Sequence, residues 1–132
     1  MAAGLYSFIL EQGSTFVFRI DYQDSAGAPV DLSEYNARMQ IRNEPGGSVL
    51  YATLSSSLSP CGTGLNMTPI SASLTLPKSS GSIEVYISAE SSSLFSFDKA
   101  HYDIELVSGS GACTEVIRLL QGKIKLSKEV TR

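Results

Sequence analysis

Few side chains in this sequence are of types that carry out chemistry, and their spacing keeps them apart. His101, in DKAHYDIEL, is the only imidazole, and general-base or metal-ligand work would need a partner group held beside it. Alternation along a strand puts it on the face opposite Tyr102, where it is expected to be inert. Asp21 with Asp24, and Asp31 with Glu34, are spaced for acid–base pairs or calcium ligands. They lack EF-hand spacing, and aspartates in turn sequences ordinarily accept hydrogen bonds from their own backbone. The two cysteines, Cys61 in SPCGTG and Cys113 in GACTE, have no CxxC or Cys/His companion, so no metal site is expected of them. They are either bridged or, with no export signal in view, reduced thiols.

Nucleophile-elbow, zincin, Walker and dinucleotide-binding patterns are absent. Residues 109–111 (GSG) read as a hairpin tip rather than a phosphate cradle. Lys123, Lys125 and Lys128 alternate with Ile124 and Leu126, first as the wet face of an edge strand defended against strand addition, and only second as an anion site. The sequon Asn66-Met67-Thr68 has no meaning without secretion. No catalytic residue, metal or cofactor is expected, and the chain reads as something other than an enzyme.

The elements around these residues follow a period of two. No window carries helical apolar spacing for more than about two turns, whereas alternation recurs. Residues 15–22 (TFVFRIDY) set Phe16, Phe18, Ile20 and Tyr22 on one face, and 36–43 (NARMQIRN) turn Ala37, Met39 and Ile41 inward. Glu44-Pro45-Gly46-Gly47 is turn chemistry, so SVLYATL should return as a hairpin partner. SLTLP and GSIEVYIS read as a further hairpin about residues 78–81. Ser88 is placed to cap a short helical turn near 89–95, with Leu94 dropped into the core. HYDIELVS and TEVIRLLQ form a hairpin about 108–111, and Gly122 marks a kink or bulge before KIKLS. Residues 55–72 carry breakers and are expected to be loops about a short strand.

Composition sets the scale. With 132 residues, 42% hydrophobic and 17% charged, the chain suits one domain over residues 1–132, since about two thirds of the surface of a chain this size is buried in a single core. Net charge is −3 with scattered Lys and Arg, so nucleic acid is not an expected partner. The opening MAAGLYSFILEQG has no basic region and is broken by Ser7 and Glu11, which argues against a signal peptide or membrane anchor and for a chain mature from Met1. Within it Tyr6, Phe8 and Ile9 have two readings: an outer strand of the fold, or an arm over residues 1–12 that packs on a neighbouring subunit.

Seven to nine short strands with regular turn signals and one helical turn predict an all-β, immunoglobulin-like antiparallel β-sandwich. Asp98, Ala100 and Tyr102 resemble the Asp-x-Ala-x-Tyr corner of such sandwiches, in which the Tyr hydroxyl bonds back to backbone; Ile104 stands where antibody domains hold a core cysteine. The alternative is that Tyr102 is a core aromatic of an unrelated sandwich.

Longer patterns resemble one group of proteins. Gln12, Gly13, Thr15 and Phe16; Asp31, Leu32, Ser33 and Tyr35; Ala37, Arg38, Met39, Ile41 and Arg42; and Leu120, Gly122, Ile124, Leu126, Ser127, Glu129, Val130, Thr131 and Arg132 are similar to motifs that recur in small virion proteins of tailed bacteriophages, cyanophages included. They also resemble the immunoglobulin-like N-terminal domain of phage baseplate upper proteins. The likeness spans Tyr6 to Arg132. It implies a tail or baseplate structural component that acts as adaptor or connector, is present in many copies in a symmetric assembly, contacts other virion proteins, and is assembled in the host cytoplasm. Baseplate upper proteins continue past such a domain into receptor-binding parts, whereas this sequence ends at Arg132, so a fibre or receptor-reading role is not expected. Two other readings remain. A carbohydrate-binding or host-adhesion module would need aromatic platforms, for which Tyr35, Tyr51 and Tyr86 are the candidates. A capsid decoration protein would differ only in where it docks.

Overall fold

The computed structural model describes residues 4–60, 62–71, 73–108 and 114–128. Cys61 and Cys113, the expected hairpin tip at 109–111, and Glu129, Val130, Thr131 and Arg132 lie outside the described residues. The alternating runs become strands β1 (Gly4–Leu5), β2 (Phe8–Glu11), β3 (Phe16–Asp21), β4 (Tyr35–Arg42), β5 (Leu50–Ser55), β6 (Gly64–Asn66), β7 (Ile70–Ser71), β8 (Leu74–Thr75), β9 (Ser82–Ile87), β10 (Lys99–Ser108) and β11 (Glu115–Ser127). A one-turn helix, α1 (Ala89–Ser93), and a 3-10 turn, Lys78–Ser80, complete the set.

The strands form two layers. The larger sheet runs β1–β11–β10–β4–β5, with β2 also on β11; the smaller runs β3–β9–β6. β7 and β8 pair only with each other. Period two explains why the layers close on one another. Ala37, Met39 and Ile41 of β4, Ala100, Tyr102, Ile104 and Leu106 of β10, and Ile83, Val85 and Ile87 of β9 are all buried in one apolar cluster. Each fully buried Ile or Leu contributes about 1.5–3 kcal/mol of transfer free energy. β3 alternates half-buried and exposed residues, as its sequence predicts. The architecture is an all-β sandwich.

Several local expectations are corrected. The N-terminal strands join the larger sheet by parallel, not antiparallel, pairing, with Gly4 beside Leu120 and Phe8 beside Ile124. β11 is therefore flanked on both sides and is not an edge strand. It also runs unbroken through Gly122, and its irregularity lies at Leu119, which the register skips between the pairs Ile104–Leu120 and Glu105–Arg118. β8 pairs with β7 and not with β9. The 3-10 turn ends on Gly81 at φ 72°, and Leu76 N–H bonds Pro69 O at 2.8 Å, so the chain between β8 and β9 turns away rather than doubling back.

Leu94 is 83% exposed instead of filling the core. Ser88 caps α1 by accepting from Ser91 N–H, and this fixes Ser92 inward, bonded to Gly13 N and Ser14 O. A residue two positions further lies about 200° around a helix, so Leu94 points outward. Phe95, three positions on, takes the buried place.

Candidate functional site

The six residues singled out from the sequence fall in one region, in an arrangement different from the one expected. Tyr102 leaves β10 on its inner face, and its hydroxyl donates to the Tyr6 carbonyl at 2.6 Å. The corner motif predicts a bond that pins the turn into β10; the actual partner is the far end of the chain, and the bond pins the N-terminal arm. Tyr6 N–H in turn donates to Gln121 O at 2.9 Å. Gly122 makes room for this crossing, because a Cβ there would lie 1.8 Å from Tyr6 O and 3.2 Å from the Tyr102 ring. Its lack of a side chain thus serves close approach and not a kink. Burial, with a smaller contribution from Tyr6, pushes the Tyr102 phenol well above its usual range and keeps it a donor.

Aromatic rings extend the seam to the smaller sheet. Tyr6 stacks on Phe18 with centroids 4.6 Å apart and planes at 9°. Phe8 stacks on Phe16 at 4.7 Å and tilts against Tyr102 at 5.1 Å. Offset and tilted pairs at such distances add about 0.5–1.5 kcal/mol beyond burial. Tyr6 and Phe8 thus pack against rings of their own chain, although Tyr6 stays 43% exposed. Ile9 points out and is 62% exposed. Of the corner triplet, Ala100 is buried opposite Ile124. Asp98 faces water, where its carboxylate meets Lys128 Nζ at 3.1 Å, while its carbonyl accepts from Leu126 N–H at 2.9 Å.

The turn aspartates hold their own loops. Asp24 Oδ1 accepts from Ala26 and Ala28 N–H, and Asp31 Oδ1 from the Ser33 N–H and hydroxyl; the Ser33 bonds keep the Asp31 carboxyl below its usual value. Among the glycan-platform candidates, the Tyr51 ring is stacked on Phe97 at 4.7 Å, Tyr35 is half-buried, and Tyr86 covers Gly62.

A second locus was not assembled by sequence reasoning. On the outer face of the larger sheet, His101 lies directly opposite Arg42 on one side and Lys123 on the other. In the adjacent row Lys99 lies directly opposite Lys125. The next row toward the other end places Asp103 between Gln40 and Gln121, and the one beyond pairs Glu105 with Arg38 and Arg118. There the carboxylates have partners, Arg38 at 2.8 Å from Glu105 and Arg118 at 3.6 Å from Asp103. Burial first, then the neighbouring Glu105, raises the Asp103 carboxyl above its usual value. In the two basic rows the described residues form no ion pair. Arg42 spends its guanidinium on Gln40 Oε1 and Gly47 O, both at 3.0 Å.

Like charges directly opposite on a sheet destabilise it, so the Lys99–Lys125 row stores repulsion. Two shallow grooves of about 340 and 370 Å³ run over the basic rows, sharing His101 and Lys123. Glu44 and Asp103 are the acids on the first groove, and Ile9 edges the second. The signal was present as Lys99 and His101 two apart, and Lys123 and Lys125 two apart. It could be joined only by a register that the bulge at Leu119 shifts by one.

No protein-family model matches the chain, and no curated protein matches it in sequence. Among the described residues no group of His, Cys, Asp and Glu is placed to hold a metal ion, and no helix is long and apolar enough to cross a membrane.

Proposed function

We propose that the chain is a structural protein of a tailed-bacteriophage virion, a tail or baseplate adaptor of immunoglobulin-like fold that works by protein–protein contact and not by catalysis. The observation that carries this reading is the outer face of the larger sheet. It concentrates Arg38, Arg42, Lys99, Arg118, Lys123 and Lys125, six of the chain's ten Lys and Arg, on a molecule of net charge −3. Arg38 and Arg118 are paired with Glu105 and Asp103, whereas Arg42, Lys99, Lys123 and Lys125 have no ion pair among the described residues, and a rigid patch with one sign in excess is suited to docking a complement.

Two further points support the reading. Six apolar residues of the phage-like patterns, Leu32, Ala37, Met39, Ile41, Ile124 and Leu126, are core residues of the sandwich, with Phe16 and Leu120 packed half-buried against that core, and Gly122 is the notch that seats the arm. The resemblance thus follows the framework of the fold. The strand order supports the immunoglobulin-like assignment: a sheet of β11, β10, β4 and β5 faces one of β3, β9 and β6, which is the division of strands in variable-type sandwiches with G, F, C and C′ on one sheet. Tyr51, one of the aromatic candidates for a glycan platform, is stacked on Phe97.

The test is localisation in purified particles by antibody–gold labelling, with peptide mass spectrometry of separated tails and heads. Gold on tails or baseplates is the expected outcome. Gold on heads would replace the tail assignment by a decoration role, and absence from particles, with binding of the isolated chain on a glycan array, would overturn the proposal.

A further inference from the structure

We infer that the basic rows of the larger sheet receive an acidic loop of a second copy of this chain, joining copies head to tail. This rests on the protein-contact reading above and names the partner for that surface. On one side of the contact are Lys99 and Lys125, directly opposed, and His101 between Arg42 and Lys123. On the other is the segment 21–34, DYQDSAGAPVDLSE, which contains four carboxylates and no Lys, Arg or His.

Asp24, Asp31 and Glu34 are exposed on this loop and, among the described residues, none of them forms an ion pair; Asp21 is held by Arg19 at 3.0 Å. The loop is also stiff. Asp24 and Asp31 close its turns, Val30 N–H bonds Tyr22 O at 3.0 Å, and Leu32 N–H bonds Lys78 O at 3.0 Å. Leu32, between two of the acids, is completely buried. A preorganised acidic loop loses little freedom on docking.

A protein carboxylate loop suits this face better than a polyphosphate. Asp103 and Glu105 stand on the same face, one and two rows beyond the basic pair of rows, and they would repel a long backbone of phosphates while leaving room for a short cluster of acids. Exposed Leu5 and Ile9 flank the grooves and offer apolar contact at the rim of such an interface. The loop lies at the end of the sandwich where β3 finishes and β4 begins, and the basic rows lie on a sheet face. Joined head to tail, the contact is heterologous, and it either closes into a ring or leaves a free basic face and a free loop at the two ends of an open array.

The experiment uses the full chain and two sets of substitutions. The face variant carries Lys99→Glu, Lys123→Glu and Lys125→Glu. The loop variant carries Asp24→Asn, Ser25→Lys, Asp31→Asn and Glu34→Lys, where each Asn keeps an oxygen that accepts the turn bonds. Sedimentation velocity of the native chain is expected to reveal species larger than a monomer at about 0.01 M salt, where charges act over about 30 Å, that dissociate at about 1 M salt, where they act over about 3 Å. Each variant alone is expected to be monomeric, and an equal mixture of the two to assemble again, since the reversed face then meets the reversed loop. This recovery also shows that both variants are folded. A native chain that is monomeric at low salt overturns the inference. So does self-association that survives in both variants, or a mixture that stays monomeric while each variant keeps the native thermal midpoint. None of these results would remove the chain from the virion, so failure here is distinct from failure of the localisation test.

Discussion

The seam between the N-terminal arm and β10, and the outer face of the sheet that the arm completes, are built on opposite principles. In the seam each polar group has an answer: the Tyr102 hydroxyl on Tyr6 O, Tyr6 N–H on Gln121 O, the Gln12 amide on Phe95 O at 2.6 Å, and rings stacked from Tyr6 to Phe18 and from Phe8 to Phe16. On the outer face of the same sheet, Lys99 is set against Lys125, and His101 lies between Arg42 and Lys123. Regions where every local rule agrees serve the fold; regions that break a rule while the fold persists are where function is to be sought. The comparison predicts that changes in the seam alter stability without altering what the face binds, and that changes on the face do the reverse.

The largest effect is expected from Tyr102→Ala, which removes a buried ring touching Phe8 and the arm's hydrogen bond together; a loss of about 3–5 kcal/mol in urea titration is expected. Gly122→Ala should cost about 1–3 kcal/mol, because the new methyl displaces the Tyr6 carbonyl. Tyr102→Phe should cost about 1 kcal/mol, the net worth of one buried hydrogen bond. The last two act on the same crossing, so their double variant should lose less than the sum, and additive losses would separate Gly122 from the Tyr6 bond.

Smaller effects come from the carboxylates and the lysines. Asp21 bonds the buried Ser82 hydroxyl at 2.7 Å, and this bond, followed by Arg19, holds its pKa below the usual 3.8. Its stabilisation is therefore present above that value and lost as pH falls below it. Asp103, raised by burial and Glu105, has the opposite sign: it favours the folded state below 3.8, and that advantage is lost as pH rises through its raised native value. Asp21→Asn should lower the unfolding midpoint at neutral pH and flatten its acid limb, whereas Asp103→Asn should raise the midpoint at neutral pH and steepen the acid limb. Lys125→Ser should change stability by no more than about 0.5 kcal/mol, and upward, since it relieves repulsion from Lys99. A clear loss would mean that the row is structural.

The sequence made the interior more legible than the connections. Tyr102, Ile104 and Leu106, or Ala37, Met39 and Ile41, declare their face within a few residues, because period two is a local signal. Leu94 misled because one helical turn is too short for periodicity to show which side faces in; the buried Ser92, bonded to Ser14 O, decided it. The arm's parallel pairing on β11 has no turn to announce it, since its partners are separated by nearly the whole chain. The Tyr102 bond was foreseen as a hydroxyl-to-backbone contact, but its acceptor sits 96 residues away. The same limitation hid the basic rows, which exist only once β4, β10 and β11 are in register.

The most direct test of the account is zero-length carbodiimide cross-linking of an equal mixture of isotopically light and heavy chains at low salt, read by mass spectrometry. The account predicts mixed light–heavy cross-links joining Lys99, Lys123 or Lys125 of one copy to Asp24, Asp31 or Glu34 of another. Cross-links confined to single chains, or mixed links that avoid these residues, would contradict it.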